Sequence, residues 1–466
     1  MIYNRLRKLK ALLLTTVMVI GIGISEPAAV NAEENWPGGP QINAPCAIAM
    51  EVNTGTVLYE KNSHEVHYPA SITKILTTLL AIENSSLDEI VTFSADAVYK
   101  NEGDTSHISR DLNEQMTMEQ CLYAVMLESA NECAYAVAEH VGNSKGGDYR
   151  TFIDLMNEKA TELGCTDTHF NNCNGLPDEE HYTSAYDMAL MSSEAYRNEA
   201  FRIITGTKSY TIPPTNKHSD PTPLNNHHRI LHYYKSGNYI NESCTGGKTG
   251  YTRAANSTLV TFAERNGLTL CIVIMNANDP DHFVDTNTLI EYCFSNFGAY
   301  NILENEKSIQ EGMDKNLGVL NNNGPFVTLD KDAYIVLPNT VDFSAATFAL
   351  DENTKDESVA ALNYSYANRS VGKVEIVPTG AKIEHEYFNK TQNKNEANIV
   401  KIKPIYILVC ILLIVLLVLM IIGVKKLYDN YYVIRHNLDV KSEQRRRFRE
   451  IKRRNRRPKR RDRLFK

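Results

Sequence analysis

Apolar residues at helical and alternating spacings divide the chain into a mixed front part and a strand-rich stretch behind it. Residues 46–52 and 56–61 are short strand-like runs on either side of Asn53-Thr54-Gly55, a hairpin signal. Pro69 then opens an apolar helix that runs to Ile82, at a position where its missing N–H costs nothing. Thr117 to Gln120 reads as a capping box in front of a buried helix over 118–127. Ser129-Ala130-Asn131 breaks the pattern before a second helix over 132–140. Residues 164–178, rich in Asn, Gly and Pro, read as a long loop, after which helix resumes over 185–198. Residues 256–263 and 268–275 read as adjacent strands, turned at Arg265-Asn266-Gly267. Beyond about Tyr300 the period falls to two, over 333–337, 345–350, 360–366 and 371–377, which predicts a small all-β domain. No internal repeat is present.

Two unbroken apolar segments change the picture from a soluble chain to an exported one. Arg5, Arg7, Lys8 and Lys10 precede an apolar run over 11–24 and small residues ending at Ala32, the pattern of a secretory signal peptide over 1–32. An uncleaved anchor is the alternative, although the run is shorter than the roughly 20 residues a span needs. Residues 405–424 carry no charge, enough apolar length for a transmembrane helix, assigned to 404–424. Lys425 and Lys426 follow, and from Arg435 to Lys466 there are sixteen Lys or Arg against four Asp or Glu. Positive charge stays inside, so residues 425–466 are expected in the cytoplasm and everything between the two apolar segments outside, on a single-pass chain at the cell membrane. The expected organisation is then a catalytic-size domain over 33–298, the small β-rich domain over 299–388 and a polar linker over 389–403.

The chain has 466 residues and a net charge of −7, but the basic ends leave the external part strongly acidic. That excludes nucleic acid as its expected partner, and the basic tail reads as attraction to anionic lipid and as a topology signal. Eight of nine cysteines fall outside the membrane segment, so disulfides are permitted, yet irregular spacing leaves paired and unpaired readings equally open. Among them, Cys133, Cys173 and Cys244 lie near the motifs described next and read as packing or disulfide residues rather than nucleophiles. His227, His228 and His232 invite a metal, but no carboxylate completes the set, and they read as polar loop or rim residues. No metal and no cofactor is expected.

Three motifs appear in order: Ser71-Ile72-Thr73-Lys74, Ser129-Ala130-Asn131 and Lys248-Thr249-Gly250. Each alone is weak; their joint order on an exported chain is not. A serine hydroxyl needs a base to become a nucleophile, and a lysine at i+3 on the same helix face supplies one once burial or nearby positive charge depresses its pKa. A serine at a helix start also points backbone N–H groups and the positive dipole end at the oxyanion. Lys248, on a strand edge with Thr249, would hold a substrate carboxylate and keep Lys74 short of a proton. Gly250 would let the substrate backbone approach.

These motifs, with Asn174-Gly175-Leu176-Pro177-Asp178, the run from His181 to Asp187, and Gly246-Gly247 with Tyr251-Thr252 around the third motif, resemble the low-molecular-mass penicillin-binding proteins of the D-alanyl-D-alanine carboxypeptidase family. The likeness covers about residues 44–276 well and the β-rich segment more loosely. It implies an α+β fold: a serine β-lactamase/transpeptidase-like domain, an antiparallel sheet with helices on both faces, followed by the small all-β domain and one transmembrane helix. It implies Ser71 as acylated nucleophile, Lys74 as base, and Ser129 and Asn131 as the proton-relay and positioning pair. Lys248 and Thr249 would bind carboxylate, and the N–H groups of Ser71 and Tyr251 would form the oxyanion hole. Tyr186 and Asp187 are expected to be scaffold. The expected substrates are peptidoglycan stem peptides ending in D-Ala-D-Ala, with β-lactams as covalent inhibitors. Two departures stand out: Ala130 where the family most often has Gly, and Asn226-His227-His228 where it has Asn-x-Asn. The rival readings are a serine β-lactamase, with Glu179 or Glu180 as the water-activating carboxylate, and a non-catalytic sensor of β-lactam or cell wall.

Overall fold

The computed structural model describes residues 36–100, 105–235, 239–305, 327–330, 332–351, 358, 360–378, 436 and 440–452. The segments expected as signal peptide (1–32), linker (389–403) and membrane helix (404–424) lie outside the described residues, as does most of the tail. Among the described residues no helix is long and apolar enough to cross a membrane. Residues 440–452 are helical and form part of a separate unit from the rest.

Strands β1 (Cys46–Glu51) and β2 (Val57–Lys61) form the expected hairpin. Short ribbons follow: β3 (Ile90–Thr92) with β4 (Gln115–Thr117), and β5 (Ser209–Ile212) with β6 (Thr222–Asn225). Strands β7 (Cys244–Thr252), β8 (Asn256–Arg265) and β9 (Leu268–Ala277) complete an antiparallel five-stranded sheet in the order β2-β1-β9-β8-β7. This sheet is covered on both faces, which explains the unbroken apolar run in β9. Cys271, Val273 and Met275 enter one core with the helices, while Leu270, Ile272 and Ile274 enter a second core. On the first face lie helices Lys74–Asn84, Met118–Leu127, Asn131–Ser144, Tyr149–Glu162 and Ala185–Arg197; on the second lies Asp281–Asn296. Each fully buried Leu or Ile there contributes about 1.5–3 kcal/mol.

Local chemistry starts these helices where the motifs need them. Thr117 Oγ1 accepts from the Gln120 N–H at 3.2 Å and Gln120 Oε1 accepts from the Thr117 N–H at 3.0 Å, the reciprocal capping box read in the sequence. The rear strands β10 (Phe297–Asn301), β11 (Val327–Leu329), β12 (Tyr334–Pro338), β13 (Thr347–Asp351), β14 (Ala360–Tyr366) and β15 (Arg369–Pro378) form a two-stranded and a four-stranded sheet. They share a core built on Ile335, Leu337, Leu362, Tyr364 and Val374. The buried carboxylate of Glu51 fixes the first hairpin to this β-rich part. It accepts from the Thr54 N–H at 2.8 Å and from the Tyr334 hydroxyl at 2.8 Å.

Candidate active site

Ser71 sits in a 3-10 turn, Ala70–Thr73, that leads into helix Lys74–Asn84. Ala70 is held at φ +52°, a left-handed conformation that strains a residue with a Cβ. Two glycines make room for it. A Cβ on Gly175 would stand 1.8 Å from the Ala70 carbonyl oxygen, and one on Gly250 would stand 2.9 Å from the Ser71 nitrogen. The edge strand β7 therefore runs directly against the backbone of Ser71, where the oxyanion donors are expected.

Lys74 is fully buried behind that turn. Its Nζ donates to Ser71 Oγ at 3.1 Å, to Asn131 Oδ1 at 2.7 Å and to the Asn174 carbonyl at 2.6 Å. Burial lowers its pKa from 10.5 to about 7, against the opposing pull of Cys173, Glu132 and Cys133. Near neutral pH the amine is thus available as a base. Asn174 reaches this place because its loop is wired by side chains: Asn172 Oδ1 accepts from the Gly175 N–H at 2.7 Å, and Asn172 Nδ2 donates to the Leu176 carbonyl at 2.9 Å.

Ser129 and Asn131 occupy the reversal between helices Met118–Leu127 and Asn131–Ser144, with Ser129 at φ +61°. The hydroxyl of Ser129 is buried and has no hydrogen-bond partner among the described residues. Lys248 is also buried, its Nζ donating to the Thr249 carbonyl at 2.9 Å. Burial, and next the charge of Lys74, push its pKa well below 10.5, while Glu128 pulls the other way. For Lys74, burial rather than Lys248 is the main cause of the depression. Thr249 is half-buried and Tyr251 exposed, so the outer part of the third motif faces solvent.

The structure brings Ser71, Lys74 and Asn131 into direct contact and lays Gly250 beside Ser71. It also shows residues to which the sequence alone assigned no role. His181 Nε2 lies 2.9 Å from Thr73 Oγ1, which itself donates to the Ala70 carbonyl at 2.9 Å. The other ring nitrogen accepts from the Asn171 N–H at 3.1 Å, so Nε2 carries the proton and donates to Thr73. Burial lowers the His181 pKa to about 3, which keeps the ring neutral. Thr258 Oγ1 adds a bond to the Pro69 carbonyl at 2.8 Å, clamping the turn from the sheet side. His228 lies in a loop, as its polar neighbourhood suggests, but is buried rather than on a rim. Its Nε2 meets Thr261 Oγ1 at 2.9 Å, and a Cβ on Gly247, one residue before Lys248, would stand 2.5 Å from that nitrogen.

His227 pairs with Glu128 at 2.8 Å and His232 with the Asn226 carbonyl at 2.6 Å, so the three neighbouring histidines serve separate contacts. Among the described residues two other groups of side chains have metal-ligand spacing, Cys46 with Glu65 and His67, and Asp111 with Glu114 and His218. The eight described cysteines are free thiols, which decides the open question of pairing for those residues. Asp187 accepts from the Asp167 N–H at 2.7 Å and from Thr168 at 2.8 Å, and so ties the loop to helix Ala185–Arg197.

Residues 31–279 match the family described as D-alanyl-D-alanine carboxypeptidase, more than half of the chain. The chain belongs to that family. Among curated relatives, it is similar to the D-alanyl-D-alanine carboxypeptidase DacF of Bacillus subtilis, 32% identical over 272 residues, 57% of this chain and 66% of DacF. It is also similar to the D-alanyl-D-alanine carboxypeptidase of Streptomyces sp. strain K15, 30% identical over 302 residues, 62% of this chain and 99% of the relative. Among solved structures, the Streptomyces K15 DD-transpeptidase aligns with a TM-score of 0.50 at 29% identity, covering 56% of this chain and 100% of that one. Penicillin binding protein 5 from Haemophilus influenzae aligns with a TM-score of 0.57 at 24% identity, covering 73% and 98%, a likeness of fold.

Proposed function

We infer that this chain is a serine-type D-Ala-D-Ala carboxypeptidase, which removes the terminal D-alanine from peptidoglycan stem peptides through an acyl-serine. The observation that carries the reading is the buried Lys74 amine within 3.1 Å of the Ser71 hydroxyl, on a chain that belongs to the carboxypeptidase family.

In this mechanism Ser71 Oγ attacks the carbonyl carbon of the penultimate D-Ala and passes its proton to neutral Lys74. The backbone N–H groups of Ser71 and Tyr251 stabilise the oxyanion; removal of one such donor typically costs about 10²–10³ in rate. Asn131 holds Lys74 in line. Ser129, with its unpartnered hydroxyl, relays a proton to the departing D-alanine amine. Lys248 and Thr249 take the terminal carboxylate, and its arrival favours the protonated form of Lys248, which in turn disfavours a second charge on Lys74. Water then cleaves the Ser71 ester and restores the enzyme. A β-lactam, whose strained amide and carboxylate mimic the substrate, acylates the same oxygen.

The β-lactamase alternative needs a carboxylate beside the ester. Glu179 and Glu180 are both exposed, while the same loop gives Lys74 only the Asn174 carbonyl, which favours wall trimming. The chain is placed at the cell membrane, with residues 1–32 as export signal, 404–424 as anchor, the catalytic part outside and the basic tail inside. The charge asymmetry of the sequence supports this placement. The test of function is release of free D-alanine from a pentapeptide ending in D-Ala-D-Ala. The wild-type chain turns it over and Ser71→Ala does not; turnover retained in Ser71→Ala, or absent from the wild type, contradicts the assignment.

A further inference from the structure

Cys46, Glu65 and His67 take no part in the chemistry above, yet their side chains converge on one point. Cys46 Sγ lies 3.1 Å from His67 Nε2, and that nitrogen lies 3.1 Å from Glu65 Oε1. The three potential ligand atoms all fall within 4.8 Å of one another. The thiol is buried at the start of β1, the imidazole side chain is 17% exposed and the carboxylate 56%. The group is therefore closed on the sheet side, at Cys46, and open to solvent on the side of Glu65.

The donor set narrows the ion. Magnesium and calcium take oxygen ligands, whereas thiolate, imidazole and carboxylate together suit zinc(II). The ligands also rest on fixed backbone. Cys46 pairs in register with Met275, and His67 exchanges backbone hydrogen bonds with Thr183 at 2.8 and 3.0 Å. The second metal-like group differs: both Glu114 oxygens are already engaged by Arg110, the Asp111 N–H, Thr215 and His218.

We propose that Cys46, Glu65 and His67 form a zinc(II) site that tethers the segment leading to the nucleophile. On binding, the Cys46 S–H bond breaks and its proton goes to solvent. The thiolate, the neutral imidazole and the carboxylate each donate a lone pair, and nothing is oxidised or reduced. The ion joins β1 to the segment that continues through Pro69 to Ser71. Thr183, bonded to the His67 backbone, lies beside the loop whose His181 holds Thr73.

The experiment is an anaerobic titration of the reduced, detergent-purified full chain with cobalt(II), a spectroscopic stand-in for zinc. The wild-type chain develops a thiolate-to-cobalt charge-transfer band that saturates near about one equivalent and is bleached by zinc. Cys46→Ser abolishes the band, while Cys165→Ser, which removes a half-buried thiol elsewhere, retains it. Glu65→Gln, at an exposed position that leaves folding intact, weakens binding by about tenfold or more. No band in the wild type, a band unchanged in Cys46→Ser, or unchanged affinity in Glu65→Gln overturns the site.

Discussion

If Lys74 is the base, the acylation rate must follow its ionisation. Burial brings its pKa to about 7, so the neutral fraction rises from about 9% near pH 6 to about 91% near pH 8. The first-order acylation rate at saturating penicillin should then climb by up to about tenfold across that interval, with a midpoint at or slightly below 7. The sign is fixed by the mechanism: protonated Lys74 cannot accept the Ser71 proton, so rate is lost as pH falls. Saturation matters because bound ligand carboxylate holds Lys248 protonated, leaving Lys74 as the group that titrates. Stopped-flow fluorescence with a labelled penicillin reads the rate directly. Lys74→Arg, whose guanidinium stays charged, should lose about 10²–10⁴-fold. A profile flat between about pH 5 and about pH 9, or a midpoint near the ordinary lysine value of about 10.4, would refute the assignment of the base.

Other consequences follow from the same geometry. Gly175→Ala puts a Cβ 1.8 Å from the Ala70 carbonyl and should displace the nucleophile turn, which shows as a drop in acylation of about 10²-fold with secondary structure retained by circular dichroism. Lys248→Ala should lower the second-order acylation constant by about 10²-fold for ligands with a terminal carboxylate, and barely at all for the amide analogue. His228 is buried and neutral, its pKa lowered to about 3, so the unfolded chain gains a proton there first as pH falls. Its share of stability is present above about pH 6.5 and is lost as pH drops toward about 3, at about 1.4 kcal/mol per unit. Denaturant unfolding at about pH 7 and about pH 5 should therefore show a smaller acid loss in His228→Gln than in wild type, by about 2 kcal/mol; equal losses contradict it.

Much of this site was legible because its chemistry is local in sequence. Ser71 and Lys74 lie one helical turn apart, and the reversal at Ser129 falls between two strong apolar patterns. The contacts that shape the nucleophile turn are not local. His181 reaches Thr73, Thr258 reaches Pro69 and Gly175 passes Ala70 only after the sheet and loops have closed. Helices Tyr149–Glu162 and Asp281–Asn296 do not stand out in the sequence pattern: in the first, Phe152, Ile153, Met156 and Ala160 keep helical spacing, but polar residues between them dilute the signal. The loop position of His228 is legible in the sequence but its burial is not, because its partners, Val260 and Thr261, lie on a strand far along the chain.

The most direct measurement is peptide mass spectrometry of the full chain after brief exposure to penicillin. One covalent penicilloyl adduct is expected, on the peptide that contains Ser71, absent from Ser71→Ala and formed far more slowly in Lys74→Arg. An adduct on any other residue, or unimpaired labelling of Lys74→Arg, would contradict the claim that a buried neutral amine activates this hydroxyl.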